Sequence, residues 1–529
     1  MNRRDFLAQA AATLAVSTIP NKIAAAINPT PKGAKPMSQP IAAPPPPSQD
    51  LDFASALHAA EAIRKKQISS LELTQRMLAR IDRYNPQLNA YVYQLREDAL
   101  AQAKKADEAQ ASGKSLGVFH GVPVNIKESF AVAGHPDTWG IPAFKDSKAP
   151  ADAEVVARLR NAGAILLGAT NVPIGLGDWQ SYNSIYGTTN NPWDLKRTPG
   201  GSSGGTAASL AAGLAYLSVG SDIGGSIRVP SHFCGLFGHK PTLDLVSAQG
   251  QLPGGVRDNP GFDTLLAVAG PIARSAADLM AAMKILGGPI GYDAKAWKWE
   301  LPAPRATSLK NFRVGYVIDD SIAPPTPEMK KMLENTIATL GRAGVQLKPG
   351  WPAGLNIQAL VDCYKFHLFA FLYSVATPEQ QEAQRQAYER APNAGTHPGM
   401  VPFAAWQRQN LNRLAFRAQW QNYFNDVDVF LSPVAYTPAF PHDHSGPQDK
   451  RTIATSAGPR NYMDMLNWIA PATLTGCPAT AAPIGLTPDA LPVGIQIMGP
   501  YWEDATPIQF ADLLAQEIGG FKPPPGYDA

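Results

Sequence analysis

Two stretches rich in glycine and serine hold most of the chemical potential of this sequence. They read Thr198-Pro199-Gly200-Gly201-Ser202-Ser203-Gly204-Gly205-Thr206 and Gly220-Ser221-Asp222-Ile223-Gly224-Gly225-Ser226-Ile227-Arg228. Glycines on both sides of serines let the backbone turn sharply and bring its N–H groups close to a ligand. A phosphate-binding loop is the first reading to test, and it fails. Gly113-Lys114-Ser115 could end such a loop, but Glu108 stands where its first glycine belongs. The nucleophile elbow Gly-x-Ser-x-Gly fails at Ser226, because Arg228 occupies the last position. Neither Ser-x-x-Lys nor His-Glu-x-x-His occurs, and His442-Asp443-His444 reads as a solvated polar loop. Cys234, Cys363 and Cys477 are far apart, form no Cys-x-x-Cys pair, and read as buried thiols.

What remains is a serine nucleophile whose base is a lysine brought in from elsewhere, with neither metal nor cofactor expected. A hydroxyl at its free pKa is a weak nucleophile and needs a neighbouring base. An exposed lysine, with a pKa near 10.4, is protonated at neutral pH and cannot accept a proton. Burial favours the neutral amine, so the lysine must lie inside the fold.

Further segments complete a pattern: Gly121-Val122-Pro123-Val124-Asn125-Ile126-Lys127, Thr170-Asn171-Val172-Pro173, Asn190-Asn191-Pro192-Trp193 and Arg197 through Gly205. It continues through Asp222 to Pro230 and Gly238 to Thr242, with echoes at Gly270 to Arg274 and Leu491 to Gln496. Together these resemble the amidase signature enzymes. The resemblance implies an α/β fold with a mixed twisted sheet covered by helices on both faces, in α/β/α layers. It implies a triad of Ser226 as nucleophile, Ser202 as bridging serine and Lys127 as base, with a cis peptide between Gly201 and Ser202. The backbone N–H groups of Ile223, Gly224, Gly225 and Ser226 would form the oxyanion hole, with Ser203, Asp222 and Arg228 in support. The implied reaction is cleavage of carboxylic amides to acid plus ammonia or amine through an acyl-enzyme on Ser226. Leu176, Trp179 and Tyr182 fall in the segment that lines the acyl pocket of related fatty acid amide hydrolases, which implies an apolar or aromatic acyl group.

Three departures stand out. Glu128 replaces the Asp of many members, His239 sits where an apolar residue is commoner, and His232 precedes Phe233-Cys234-Gly235; both histidines are expected to be structural. The alternatives are a glutaminase-type subunit of a tRNA-dependent amidotransferase, or an enzyme acting mainly as an esterase or aryl acylamidase. A catalytically dead binding protein would be expected to lose Lys127 or a serine, and all three residues are present.

These residues need elements to place them. Ser69 and Glu72 have capping-box spacing, and Leu71, Leu78 and Ile81 recur on one helical face until Asn85-Pro86 predicts a stop. A second helix should end at Ser112-Gly113. Val122 to Ile126 reads as a strand ending at Lys127. Asp152 can cap a helix through Ala162, with Gly163 as its stop and a buried strand at Ala164 to Leu167. The pattern repeats as helix Thr206 to Ala212, stop at Gly213 and strand Leu214 to Val219. Alternating helix and apolar strand marks a largely parallel or mixed sheet covered by helices. The region from about Ala303 to Pro471 reads as more helical, with strands at Val314 to Ile318 and Val427 to Leu431. Pro492 to Gly499 reads as a strand returning to the core.

Composition bounds the rest. The chain has 529 residues, 45% of them hydrophobic and 17% charged, which suits a globular protein and excludes wholesale disorder or a coiled coil. A net charge of +3 is too balanced to suggest a nucleic-acid partner. No apolar stretch approaches the roughly 20 residues of a membrane span, and no membrane anchor is expected. Residues 1–26 read as a signal peptide of the twin-arginine type, with Arg3-Arg4-Asp5-Phe6-Leu7 at its start and Ala24-Ala25-Ala26 at its end. Residues 27–50 read as a Pro-rich linker. The amidase domain then spans 51–529, with its signature core at about 115–290, a variable region at about 300–470 and a return to the core at 471–529. The expected partners are a small-molecule amide and the export machinery, and the expected location is periplasmic or secreted. That location argues against the cytoplasmic partner subunits of an amidotransferase.

Overall fold

The computed structural model describes residues 51–253, 265–376, 378–390 and 397–527. The signal-peptide and linker readings lie outside the described residues. The first long helix, α1 (Ser70–Leu88), opens with the expected capping box: Ser69 Oγ accepts from the Glu72 N–H at 3.0 Å, and Glu72 Oε2 accepts from the Ser69 N–H at 2.9 Å. It does not stop at Asn85-Pro86. Pro86 is exposed in the last turn, so its missing N–H falls on the solvent side and costs little. The helix ends instead at Asn89, which is left-handed with φ 50°, while Asn85 Oδ1 accepts the N–H groups of Ala90 and Tyr91 at 2.8 Å.

Helix α2 (Arg96–Ala111) ends where Ser112-Gly113 predicts. Helix α3 (Glu154–Asn161) lacks the expected cap from Asp152. Its N-cap is Ala153, and the Asp152 carboxylate accepts from the Ala133 N–H at 2.9 Å and pairs with Arg160 at 3.0 Å. A loop amide and a guanidinium outcompete the helix end for that side chain.

The strands are β1 (Tyr91–Gln94), β2 (Pro123–Lys127), β3 (Ile165–Thr170), β4 (Leu217–Asp222), β5 (Phe237–Lys240) and β6 (Val268–Ala273). They continue as β7 (Arg313–Tyr316), β8 (Gln346–Pro349), β9 (Val429–Pro433), β10 (Ala479–Leu486) and β11 (Pro492–Met498). These 11 form one mixed sheet in the order β1-β3-β2-β4-β6-β5-β10-β11-β9-β7-β8, while two short antiparallel pairs, Tyr182–Asn183 with Gly187–Thr188 and Thr452–Thr455 with Gly458–Asn461, lie outside it. Strands β2, β3 and β4 run parallel, as do β7, β8 and β9; the other pairings are antiparallel.

Alternation along the strands explains the layering. On β9, Val429 and Leu431 enter one hydrophobic core and Phe430 the other; on β11, Ile495 and Ile497 enter the first and Met498 the second. Successive side chains point to opposite faces, so both faces of the sheet are covered. The first core takes in α1 to α3. The second is aromatic, built around Tyr364, Trp420, Tyr436 and Trp468 from the later, more helical region. Helix α4 (Gly204–Ala211) follows the first glycine-serine loop, α5 (Arg228–Cys234) follows the second, and α6 (Ile357–Ser374) and α7 (Phe403–Tyr423) belong to the helical region. No helix among the described residues is long and apolar enough to cross a membrane.

Candidate active site

Lys127 ends β2, Thr170 ends β3, and Ser221 and Asp222 end β4. Because these three strands are parallel, all four residues gather at one edge of the sheet, the usual place for a site in such folds. The two glycine-serine loops pack there as well. The Gly201–Ser202 peptide is cis, and Gly201 has no room for a side chain, since a Cβ would collide with the Asp178 carbonyl oxygen. Gly225 adopts φ +93°, and a Cβ there would lie 2.7 Å from Ile469 Cδ1. Only glycine fits either position.

Lys127 is wholly buried. Its Nζ donates to Ser202 Oγ at 2.7 Å and to Ser221 Oγ at 2.9 Å. Burial lowers its pKa to about 7, while the negative Asp222 pulls in the opposite direction. A useful fraction of the amine is therefore neutral near neutral pH. Ser202, Ser221 and Ser226 line one cavity of about 80 Å³, and Ser226 also borders a second of about 120 Å³. The two loops are tied together by the Ser203 N–H, which donates to the Ser226 carbonyl at 3.3 Å. Ser203 Oγ also accepts from the Ser221 N–H at 3.4 Å.

Asp222 and Arg228 hold the second loop. Arg228 has no exposed side-chain surface and grips the Asp222 carboxylate through Nε and Nη2, at 3.0 and 2.8 Å. Its remaining donors reach Gln496 Oε1 at 2.7 Å and Thr473 Oγ1 at 2.6 Å. Burial alone would raise the Asp222 pKa, but the Arg228 guanidinium and the backbone donors outweigh it and hold the carboxyl below its ordinary value. One expectation needs correction here. The Gly225 N–H donates to Asp222 Oδ1 at 3.0 Å, so it does not face the cavity as an oxyanion donor. The N–H groups of Ile223, Gly224 and Ser226 donate to no acceptor among the described residues. These three remain the candidates for the oxyanion hole.

Of the three residues assigned to an acyl pocket, Leu176 lines both cavities and Trp179 lines the second. Tyr182 lines neither. Its ring stacks on His444 at 3.7 Å and its hydroxyl accepts from Arg451 at 3.0 Å, beside the buried Arg451–Asp178 ion pair. The same packing changes the reading of His442-Asp443-His444, because the Asp443 backbone is clasped by Gln180 and His442 bonds Asn190 at 3.1 Å. His232 accepts from the Gly494 N–H at 2.7 Å and bonds the Thr437 carbonyl at 3.1 Å; burial lowers its pKa to about 4. His239 is held between Thr480 and Asp504 at 2.9 and 3.0 Å. His232 ties α5 to β11 and His239 ties β5 to β10, and both stand apart from the cavities.

Glu128 follows Lys127 but does not pair with it. Its Oε1 accepts from the Thr138 N–H and Oγ1 at 2.8 and 2.6 Å, which anchors the segment that brings Trp139 to the cavity wall. Burial raises its pKa to about 8, against the pull of Thr138. Sequence reasoning missed Ser221 as a lysine partner, because it ended the strand at Val219, whereas β4 runs Leu217–Asp222 and carries Ser221 to the sheet edge. It also missed Tyr364, whose hydroxyl donates to the Ile223 carbonyl at 2.7 Å from 141 residues away, and no local pattern could have marked it.

The Amidase family profile matches residues 72–507. The chain is 31% identical over 468 residues to the indoleacetamide hydrolase of Bradyrhizobium diazoefficiens, covering 85% of this chain and 84% of that one. It is 32% identical over 489 residues to a glutamyl-tRNA(Gln) amidotransferase subunit of Coxiella burnetii, covering 88% and 97%. Among solved structures, a substrate complex of 6-aminohexanoate cyclic dimer hydrolase matches with a TM-score of 0.73 at 24% identity, over 90% of this chain and all of that one, a likeness of fold. The mixed sheet, the glycine-serine loops around a buried lysine and a profile spanning most of the chain agree: this protein belongs to the amidase signature family and is a hydrolase that acts on amide bonds.

Proposed function

We propose that the chain cleaves carboxylic amides to acid plus ammonia or amine through an acyl-enzyme on Ser226. The observation that carries this reading is Lys127, a fully buried lysine with a pKa near 7, at 2.7 Å from Ser202 Oγ. A neutral Lys127 accepts the Ser202 proton while Ser202 accepts that of Ser226, since a hydroxyl does both. Ser226 Oγ then bonds to the amide carbon, and the carbonyl oxygen takes up negative charge beside the N–H groups of Ile223, Gly224 and Ser226. As the C–N bond breaks, the proton returns along the same path to the leaving nitrogen. Water repeats the sequence on the acyl-enzyme and releases the acid. Each well-placed oxyanion donor contributes about 3 kcal/mol to the transition state.

The second cavity is the acyl side. The leaving nitrogen must meet the proton path, and Ser202 and Ser221 line only the first cavity. Leu176, Trp179, Leu368, Leu372, Met463 and Leu466 line the second, a surface that suits an apolar or aromatic acyl group. The indoleacetamide hydrolase among the relatives fits that reading. Asp178 and Gln448 also border it, but Asp178 is paired with Arg451, so the lining offers a free charged glutamine less than an apolar acyl group.

Purified protein assayed on phenylacetamide, acetanilide, phenyl acetate and glutamine tests the proposal, with mass spectrometry of the quenched reaction for acylation of the Ser226 peptide. Acylation at Ser226 and a preference for phenylacetamide over glutamine are expected. Wild-type turnover by a folded Ser226→Ala variant would falsify the mechanism. We also propose export by the twin-arginine route, supported by Arg3-Arg4-Asp5-Phe6-Leu7 and Ala24-Ala25-Ala26. Lysines in place of Arg3 and Arg4 should leave precursor in the cytoplasm; unchanged recovery of processed protein outside it would sink this assignment.

A further inference from the structure

We infer that Tyr364 is a positioning residue that sets the Gly224 oxyanion donor from outside the signature loops, by holding the Ile223 carbonyl. The inference rests on the oxyanion role proposed above. A trans peptide unit is planar, with its C=O and N–H pointing in opposite directions. Tyr364 Oη donates to the Ile223 carbonyl at 2.7 Å, so the Gly224 N–H of the same unit points away from Tyr364. Trp179 Nε1 donates to the Gly224 carbonyl at 2.8 Å, and the opposite end of that unit, the Gly225 N–H, is taken by Asp222 Oδ1 at 3.0 Å. Two consecutive peptide units are thus fixed by three hydrogen bonds.

The turn needs such fixing because it is built of glycine. The Gly224-Gly225 pair has no Cβ to restrict its torsions, and a flipped 223–224 unit would present a carbonyl oxygen where a donor is required. The two units are not equally secured. The 224–225 unit is held at both ends, by Trp179 and Asp222. The 223–224 unit has, among the described residues, only the Tyr364 hydroxyl.

Tyr364 is itself immobilised. Its side chain is wholly buried in the aromatic core, and burial keeps its phenol protonated and able to donate. On α6 it shares a face with Leu368, Phe371 and Leu372, at spacings of 4, 7 and 8, and those three residues line the cavities. One helix therefore shapes the substrate's surroundings and orients a donor for its transition state.

The test is Tyr364→Phe, which keeps the ring and removes the donor. With phenylacetamide as substrate, kcat and kcat/KM are expected to fall together by about tenfold or more, with KM unmoved, because the lost interaction is made only in the transition state. The ascending limb of the pH profile should stay in place, since Lys127 is untouched. Phenylacetaldehyde, which Ser226 can add to as a hemiacetal, should inhibit more weakly by the same factor. A folded Tyr364→Phe enzyme with kcat/KM and aldehyde inhibition within twofold of wild type would overturn the inference. So would a loss confined to thermal stability or to the active fraction. If Tyr364→Phe does not fold, Tyr364→Met, which also fills the space and removes the donor, decides: unchanged aldehyde inhibition overturns the inference, and matched weakening supports it. A Ser226→Ala enzyme run beside them separates the two levels, since retained activity there removes the mechanism itself, whereas its loss leaves the clamp alone under test.

Discussion

The signature core and the later helical region build the candidate site in opposite ways. The core, from β2 to β6, contributes every group proposed to exchange a proton or carry charge, and each is placed by the backbone: at a strand end, in a glycine turn, or at a helix start. The helical region contributes walls and clamps through side chains that reach across the fold, such as Tyr364 to the Ile223 carbonyl and Leu368, Leu372, Met463 and Leu466 to the second cavity. Chemistry placed by backbone tolerates little change at any residue. Walls placed by side chains can change one residue at a time, so the helical region is where substrate range can diverge while the reaction stays fixed.

The largest effect should separate the two regions completely. Ser226→Ala and Lys127→Ala should each lower kcat by on the order of 10⁴-fold or more while the protein remains folded, and Ser202→Ala should be severe with more residual turnover. Wall substitutions should never approach this, and one that did would erase the distinction. Steady-state kinetics beside circular dichroism makes the comparison.

Arg228→Met sharpens the same point from the side of stability. It strands the buried Asp222 carboxylate, and removing one partner of a buried pair costs about 3–5 kcal/mol. Denaturant unfolding should show that loss together with collapsed activity. Retained stability would mean that the loop is braced by something other than this pair.

The pH profile tests the core alone. Lys127 accepts a proton only when neutral, and its pKa is lowered to about 7, so kcat/KM should rise with pH through about 7 and level off above it. The small activity left in Lys127→Ala should lack that limb. An ascending limb near pH 4 in the wild type would point to a carboxylate base instead.

A wall residue should behave differently. Leu466→Ala enlarges the second cavity and is expected to shift the ratio of kcat/KM between phenylacetamide and a bulkier acyl amide by severalfold, within the roughly 10–200-fold worth of a methylene or two. Unaltered selectivity would remove this cavity from the acyl side.

The smallest effect concerns Glu128. Its folded pKa, raised to about 8, lies above its ordinary value, so its contribution to stability is complete at acidic pH and lost as pH rises through about 8. Gln does not titrate. The melting temperature of Glu128→Gln relative to wild type should therefore climb between pH 5 and pH 8.5, and a flat difference would show that Glu128 is not buried as a neutral acid.

Local chemistry was legible where one short segment decides the outcome. The Ser69–Glu72 capping box, the strand ending at Lys127 and the glycine-serine loops all follow from neighbours within a few residues. The readings that failed were local rules overruled by distant partners. Asp152 had a helix to cap and chose Arg160 and the Ala133 amide. Tyr182 lay in the right segment for a pocket but was claimed by Arg451 and His444. Gly225 was one of four equivalent amides until the Asp222 carboxylate took it.

The sequence by itself determined the family and the mixed α/β class, and through that resemblance named Ser226, Ser202 and Lys127 as candidate nucleophile, relay and base, because the motifs that carry it depend on residue type and on spacing along the chain. Tertiary structure alone decided that Lys127 is sealed from water, which moves its pKa into the useful range. It also decided that the Gly225 amide is taken by Asp222, and that the Tyr364 hydroxyl bonds the Ile223 carbonyl. Desolvation and hydrogen-bond competition are properties of three-dimensional neighbours, and those neighbours come from segments that carry no mark of each other in the sequence.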